Sequence, residues 1–378
     1  MDISGIKFII GGAGLTGSVI AERIANDLGG KVLIFEKRAH IGGNCDSEVD
    51  PITEIEYHIY GTHIFHTSNK TVWDYVSRFV SLNNYFHQVL TVYNNKVYQM
   101  PVNLETINSF YNVNLRPFEV DQFINEVNKG EFYNPENFAD HAISLVGRPL
   151  YEALIKGYTR KQWGREPSTL PLSIIKRLPF RKNYIESYFF DKWQGIPIEE
   201  YHKLFERMLL SDKITIIKST DINNLKIHFP PDATLIHTGP IDSFYNFCFG
   251  KLDWRSLRFE KDVINVEDFQ GTSVMNYADE NIPYTRIHEP RHIHPERSYR
   301  IDKTLIIREY PDNNNQEQFY PVNDMKNQEL YRSYLQLANK TPGVFFTGRL
   351  GSFKYLDMNT AIEQALSLYE RIKISITK

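Results

Sequence analysis

Near the N-terminus, three glycines stand at the spacing that lets a backbone hold a pyrophosphate: Gly12, Gly14 and Gly17. The first makes a tight turn, the second admits close approach of a phosphate, and the third lets a helix pack on a strand. Nineteen residues beyond Gly17, Glu36 stands where a carboxylate accepts hydrogen bonds from a ribose 2′-hydroxyl, which favours FAD or NAD over NADP. A glycine triplet alone is a weak signal, so its flanks decide. Ile9-Ile10 ahead of it reads as the end of a strand, Leu15–Asp27 as a helix and Lys31–Phe35 as a second strand ending on Glu36. The helix N-terminus then offers amide N–H groups and a positive dipole end to the phosphates. After Glu36 and Lys37, Ile41-Gly42-Gly43-Asn44 puts two adjacent glycines and a polar side chain where an NAD domain would enter its next helix. A second close backbone approach there suits the longer FAD. The cofactor set comprises Gly12, Gly14, Leu15, Gly17, Glu36, Lys37, Gly43 and Asn44.

The elements that must position these residues return late in the chain. Leu90–Tyr98 reads as two short strands around Asn94-Asn95-Lys96, a hairpin. From about Leu104 to Arg177 the pattern is helical. Phe138, Ala142, Leu145 and Val146 recur at helical spacing up to Gly147, and Pro149 starts the next helix. Strands follow at Ala233–Thr238, Ser273–Tyr277, Lys303–Arg308 and Val344–Thr347, then a final helix over Asp357–Ile374. The expected fold class is α/β: a discontinuous Rossmann-like domain with an inserted helical domain and an antiparallel sheet domain. The dinucleotide domain is expected over 1–80, 205–240 and 325–378, and the helical domain over 102–180. The sheet domain is expected over 81–101, 181–204 and 241–324.

Composition narrows the partners. At 378 residues the chain buries a full core, and a net charge of −3 supplies no field that would draw nucleic acid or an anionic membrane. No stretch has the length of a membrane span and no signal-peptide layout opens the chain. Cys45 and Cys248 are too few for a disulfide framework or a zinc site, so a cytoplasmic protein is expected. His63 and His66 lie three apart, but no cysteine or carboxylate cluster completes a ligand set, and no metal is expected.

Six segments, in order, carry a resemblance. They are Tyr60-Gly61-Thr62-His63-Ile64-Phe65-His66-Thr67, Ala142–Gly147, and Lys156-Gly157-Tyr158-Thr159-Arg160-Lys161-Gln162-Trp163. Pro283-Tyr284-Thr285-Arg286-Ile287, Tyr320–Asp324, and Gly348-Arg349-Leu350 with Tyr355–Met358 complete the set. Across essentially its whole length the chain resembles the UDP-galactopyranose mutases, bacterial flavoenzymes that interconvert the pyranose and furanose forms of UDP-galactose. The resemblance implies reduced FAD as the active form, its N5 acting as nucleophile toward the anomeric carbon, with no net redox change. It implies Arg177 and Arg286 on the diphosphate, the first on a mobile loop of about 164–177 that closes over substrate. Tyr188, Tyr320 and Tyr355 would donate to the diphosphate, Tyr158 would stack on uracil and Trp163 would line the site. By the same resemblance, His63 and Arg349 face the flavin, while Asp357 and Met358 lie beside it at the head of the last helix. It further implies a homodimer, a transient NAD(P)H or other reductant, and a product destined for cell-surface polysaccharide.

Some positions depart from the family pattern. Thr62 stands where Ala or Pro is usual, Ile59 where Lys is common, and Phe319 where a second Tyr is common. Phe180–Tyr188 keeps Tyr188 without an Asp-Asn pair, and Asn83–Gln88 also differs. These changes bear on the sugar, so UDP-GalNAc and dTDP-fucose are alternative substrates. A flavin amine oxidase would share the glycine motif, but it needs an apolar channel and no paired arginines. A non-catalytic dinucleotide sensor would leave the tyrosines and Trp163 without a role.

Overall fold

The computed structural model describes residues 5–131, 134–172, 180–225, 229–230, 232–312 and 317–377. A five-stranded parallel sheet lies at its centre, in the order Val344–Phe346, Thr234–His237, Phe8–Gly11, Val32–Phe35, Ile214–Ile217. Phe8–Gly11 and Val32–Phe35 are buried at every position, the pattern of strands covered on both faces. The helix Leu15–Asn26 covers one face together with the final helix Met358–Thr377. Ile20, Ile24, Ile362, Ala365 and Tyr369 are sealed in their shared core, so the two ends of the chain build one layer.

A seven-stranded sheet forms the second body. Its order is Tyr320–Pro321, Trp254–Ile264, Thr304–Asp312, Arg286–His288, Val274–Tyr277, Val89–Tyr93, Lys96–Met100. Every neighbouring pair is antiparallel except Val274–Tyr277 with Val89–Tyr93. The hairpin turn falls on Asn94 and Asn95, both with positive φ (48° and 59°), a conformation asparagine tolerates better than most residues. Against this sheet pack helices Leu104–Tyr111, Val120–Val127 and Phe138–Val146, the last capped by Asn137 and stopped at Gly147.

Beyond Gly147 the helix does not run regularly. A short α-turn over Arg148–Leu150 widens into a π-helical stretch at Tyr151–Lys156 before tightening again over Gly157–Trp163. Such widened turns re-aim side chains and cluster at functional sites. Here the change occurs just before Tyr158 and Trp163. No helix among the described residues is long and apolar enough to cross a membrane.

Candidate active site

Backbone sterics build the glycine cradle. Gly12 has φ +110°, and a Cβ there would fall 2.2 Å from Thr238 Oγ1. A Cβ on Gly17 would fall 2.0 Å from the Gly12 carbonyl oxygen, so the helix could not seat on its strand. Gly42 pairs with Gly14 through a parallel bridge and donates its N–H to Ala13 O at 2.9 Å. Gly43, at φ +59°, lies so close that its Cβ would come within 2.9 Å of Gly14 Cα. Two glycine turns thus stand back to back at the head of the Leu15–Asn26 helix. That helix begins at Gly14 with no side-chain cap, leaving its first amides to an outside acceptor. The cradle therefore fits a dinucleotide phosphate.

Glu36 is buried, with Oε2 accepting from Ala13 N and Oε1 from Arg38 N, each at 2.7 Å. Each oxygen keeps further acceptor capacity for a ribose hydroxyl. Lys37 is exposed. Its neighbour Arg38, not singled out from sequence, bonds Asn44 Oδ1 at 3.0 Å and Glu317, and lies 4.2 Å over the Tyr60 ring. A second cation, two residues beyond Glu36, was the available signal.

The second half of the site grows from the sheet. Arg286 and Glu309 face one another in register across adjacent strands. Glu309 Oε1 lies 3.4 Å from Arg286 Nε, and an Arg286 Nη2 hydrogen donates to the Tyr158 hydroxyl. Burial raises the Glu309 pKa, but the Arg286 charge and hydrogen bonds from His288 and Thr285 outweigh it and hold the pKa at about 2. Burial also opposes the Arg286 charge, yet Glu309 and the surrounding tyrosines keep that guanidinium firmly protonated. Tyr158 is pushed up to about 12, chiefly by burial, and so stays a hydroxyl donor.

Tyr320 and Tyr355 stack with ring centres 5.7 Å apart, and the Arg349 guanidinium sits 4.7 Å over Tyr355. Arg349 Nη2 donates to Leu356 O at 2.8 Å and Nη1 to Phe319 O at 3.4 Å. Gly348 packs on Thr16 of the first helix, which brings Arg349 beside the cradle. His63 is held by its Nδ1 on Gly61 O (2.7 Å) and its backbone N–H on His58 Nδ1 (2.8 Å). Burial, then the charge of Arg349, lowers its pKa to about 4. A carbonyl only accepts, so Nδ1 carries the proton and Nε2 is an acceptor in the neutral ring.

Tyr188 packs edge-on against His87 and Phe189. Trp163 lines a cavity of about 300 Å³ with Gly164, Arg165, Leu170, Pro171 and Asp324. Met358 is buried and accepts from the Tyr201 hydroxyl at 3.7 Å, whereas Asp357 is exposed and offers its carbonyl to Ala361 N. Arg177 lies outside the described residues. Sequence reasoning passed over Glu309, His288 and Asn276. Asn276 pairs with Arg286 across the sheet, and its Oδ1 is buried without a hydrogen-bond partner among the described residues. It also passed over the anchoring role of Lys161, whose ammonium reaches the carbonyls of Tyr277, Asp279, Ile282 and Tyr284 at 2.7–3.1 Å. That cage pins the Tyr158–Trp163 helix to the turn leading into Arg286.

Away from this cleft, Asp268, Glu289 and His292 lie close enough to share an ion. Glu289 is already satisfied there by Phe269 N, Gln270 N and Thr304 Oγ1 at 2.6–2.9 Å.

The family model described as UDP-galactopyranose mutase matches residues 153–355, and one for an NAD(P)-binding Rossmann-like domain matches residues 10–79. The chain is 39% identical to the "Probable UDP-galactopyranose mutase" of Klebsiella pneumoniae, over 98% of its own length and 95% of the relative's. The chain belongs to the UDP-galactopyranose mutase family. Membership places it among isomerases and accounts for the Rossmann-like dinucleotide domain joined to a second sheet. It is also 36% identical to the dTDP-fucopyranose mutase of Escherichia coli, over 95% of this chain and 96% of that one. A crystal structure of reduced UDP-galactopyranose mutase superposes with a TM-score of 0.77 at 14% identity, covering 98% of this chain and 96% of the other. That likeness speaks for the fold.

Proposed function

We propose that this chain interconverts UDP-α-D-galactopyranose and UDP-α-D-galactofuranose, with reduced FAD seated in the glycine cradle. One observation carries the reading. A guanidinium that cannot lose its charge, Arg286, is set among tyrosine hydroxyls, and Tyr320, Tyr355 and Arg349 join it by ring and charge contacts to the cradle. A site that moves a sugar while keeping its nucleotide needs a fixed cation for the departing diphosphate and a dinucleotide held alongside. When bound and reduced, FAD supplies a nucleophilic nitrogen for the anomeric carbon.

The residues of the chain divide the remaining work. Arg286 and Arg177 hold the diphosphate and stabilise its charge as the glycosidic bond breaks. Tyr188, Tyr320 and Tyr355 donate hydroxyl bonds, with Tyr320 kept protonated chiefly by burial. Tyr158 offers its ring to the uracil, and Trp163 closes the wall of the cleft. His63 acts from the flavin side with Nε2 as an acceptor, and Arg349 supplies a fixed cation that favours an anionic reduced cofactor. Asp357 and Met358 flank the cofactor at the head of the last helix. A loop of about 164–177, whose residues 173–177 lie outside the described ones, closes over the substrate as a lid. The enzyme works in the cytoplasm as a homodimer, is reduced by NAD(P)H or another donor, and supplies furanose sugar for surface polysaccharide.

Purified protein should be yellow and bleach with dithionite, and turnover of UDP-galactofuranose should appear only in the bleached form. Full activity with oxidised flavin sinks the mechanism. Arg286→Ala and Arg177→Ala should each lower turnover by about 100-fold or more while the colour remains, the scale on which lost transition-state charge stabilisation is felt. The Escherichia coli relative favours one second reading, a mutase of the same mechanism acting on dTDP-fucose. Assay of the reduced enzyme on a panel of UDP- and dTDP-sugars separates the two.

A further inference from the structure

Behind Arg286 a line of hydrogen bonds runs from the sheet to the loop that carries His63. The Thr62 hydroxyl lies 2.8 Å from His288 Nδ1, and His288 Nε2 lies 3.1 Å from Glu309 Oε2. The other Glu309 oxygen meets Arg286 Nε at 3.4 Å and accepts from Thr285 Oγ1 at 3.2 Å. His288 and Glu309 are both 3% exposed, so water does not stand in for either partner. We propose that Thr62 and His288 are positioning residues that hold Glu309, and through it Arg286, in the orientation that receives the substrate diphosphate.

Sheet geometry and proton counting support this assignment. Arg286 and His288 are two apart on one strand and so share a face, and Glu309 stands directly opposite Arg286 on the next strand. Glu309 is ionised and only accepts, so His288 Nε2 must carry a proton. In the neutral ring, Nδ1 is then an acceptor and the Thr62 hydroxyl is its donor. The carboxylate therefore selects the ring tautomer, and the hydroxyl, donating to Nδ1, anchors the ring in place. Without the hydroxyl His288 loses its hold at Nδ1, and the ring is free to turn and carry its Nε2–H off Glu309 Oε2. Glu309 would then rotate away from the geometry in which Oε2 is occupied and Oε1 is left to Arg286. Outer partners that fix the orientation of a histidine ring act in the same way at metal sites. Thr62 adjoins His63, so the link also ties the cofactor-side loop to the substrate arginine.

The inference rests on the reading of Arg286 as a diphosphate ligand, and the test separates the two. UDP affinity is measured by calorimetry on oxidised, FAD-loaded protein, with thermal unfolding recorded in parallel. Thr62→Val keeps the shape and removes the hydroxyl, and should weaken UDP binding by about tenfold, the equivalent of one buried hydrogen bond. Thr62→Ser restores the donor and should return affinity to within about threefold of wild type. His288→Gln should weaken binding as Thr62→Val does, and it replaces that variant if Thr62→Val does not fold. Wild-type affinity in Thr62→Val or His288→Gln overturns the inference, as does failure of Thr62→Ser to recover. If wild type binds no UDP, or Arg286→Ala binds it unchanged, the reading of Arg286 fails and this inference with it.

Discussion

His58 and His87 are sealed in the core, and both are held neutral. Burial lowers the pKa of each from 6.5 to about 3; for His58 the Glu56 charge opposes this incompletely, and for His87 the charge of Arg286 adds to it. The folded state therefore binds fewer protons than the unfolded chain once pH drops below 6.5. Their contribution to stability is complete above pH 6.5 and is lost as pH falls toward 3. Each group removes about 1.4 kcal/mol per pH unit over that window. Glu56 and Glu309, held at about 2 against the ordinary 4.5, lose theirs only between those lower values. Thermal unfolding should thus shift to lower temperature between pH 7 and pH 5, before the carboxylates titrate. His87→Gln, compared with wild type across that range, should show a shallower slope, and an unchanged slope would contradict the assignment.

Turns and strands differ in how openly the sequence announced them. Gly43 is one that did: its positive φ and its approach to Gly14 leave no place for a Cβ. Gly43→Ala should fold yet retain markedly less flavin, read as the ratio of flavin to protein absorbance after gel filtration. Full retention would show that the second glycine turn does not face the cofactor. The Asn94-Asn95 turn was equally plain, because two residues alone dictate its backbone. Other elements were silent. The helix Met325–Ala338 buries only Asn327 and Tyr334 among its side chains, so its apolar stripe is too thin to read. Trp254–Ile264 mixes buried Arg255 and Ser256 with exposed Arg258, Glu260 and Lys261. Its pairing with Thr304–Asp312, not its own pattern, makes it a strand. The widened turn at Tyr151–Lys156 was also invisible, since a period of 3.6 is assumed until packing breaks it.

On the scale of the molecule, the dinucleotide sheet takes strands from the start, the middle and the end of the chain, and the first helix buries its apolar face against the last one. Ile362 is fully buried in that joint, while Ile376 on the same helix is half exposed. Ile362→Ala should cost about 2–5 kcal/mol in urea unfolding, and Ile376→Ala within about 0.5 kcal/mol of nothing. Comparable losses at both sites would mean that the helix does not dock as described. The same long-range closure explains what was legible. Gly12, Gly14, Gly17 and Glu36, the hairpin, the stop at Gly147 and the apolar faces of the end helices follow from backbone sterics and periodicity over a few residues, and the sequence alone determined them. The arginines and tyrosines of the cleft were marked by family resemblance, not by any local rule. Glu309 opposite Arg286, His288 beside them and Thr62 closing the line were decided by the tertiary structure. Strand register sets Glu309 opposite Arg286, and the loop carrying Thr62 reaches His288 from 226 residues away; no local pattern records which segment will lie next to which.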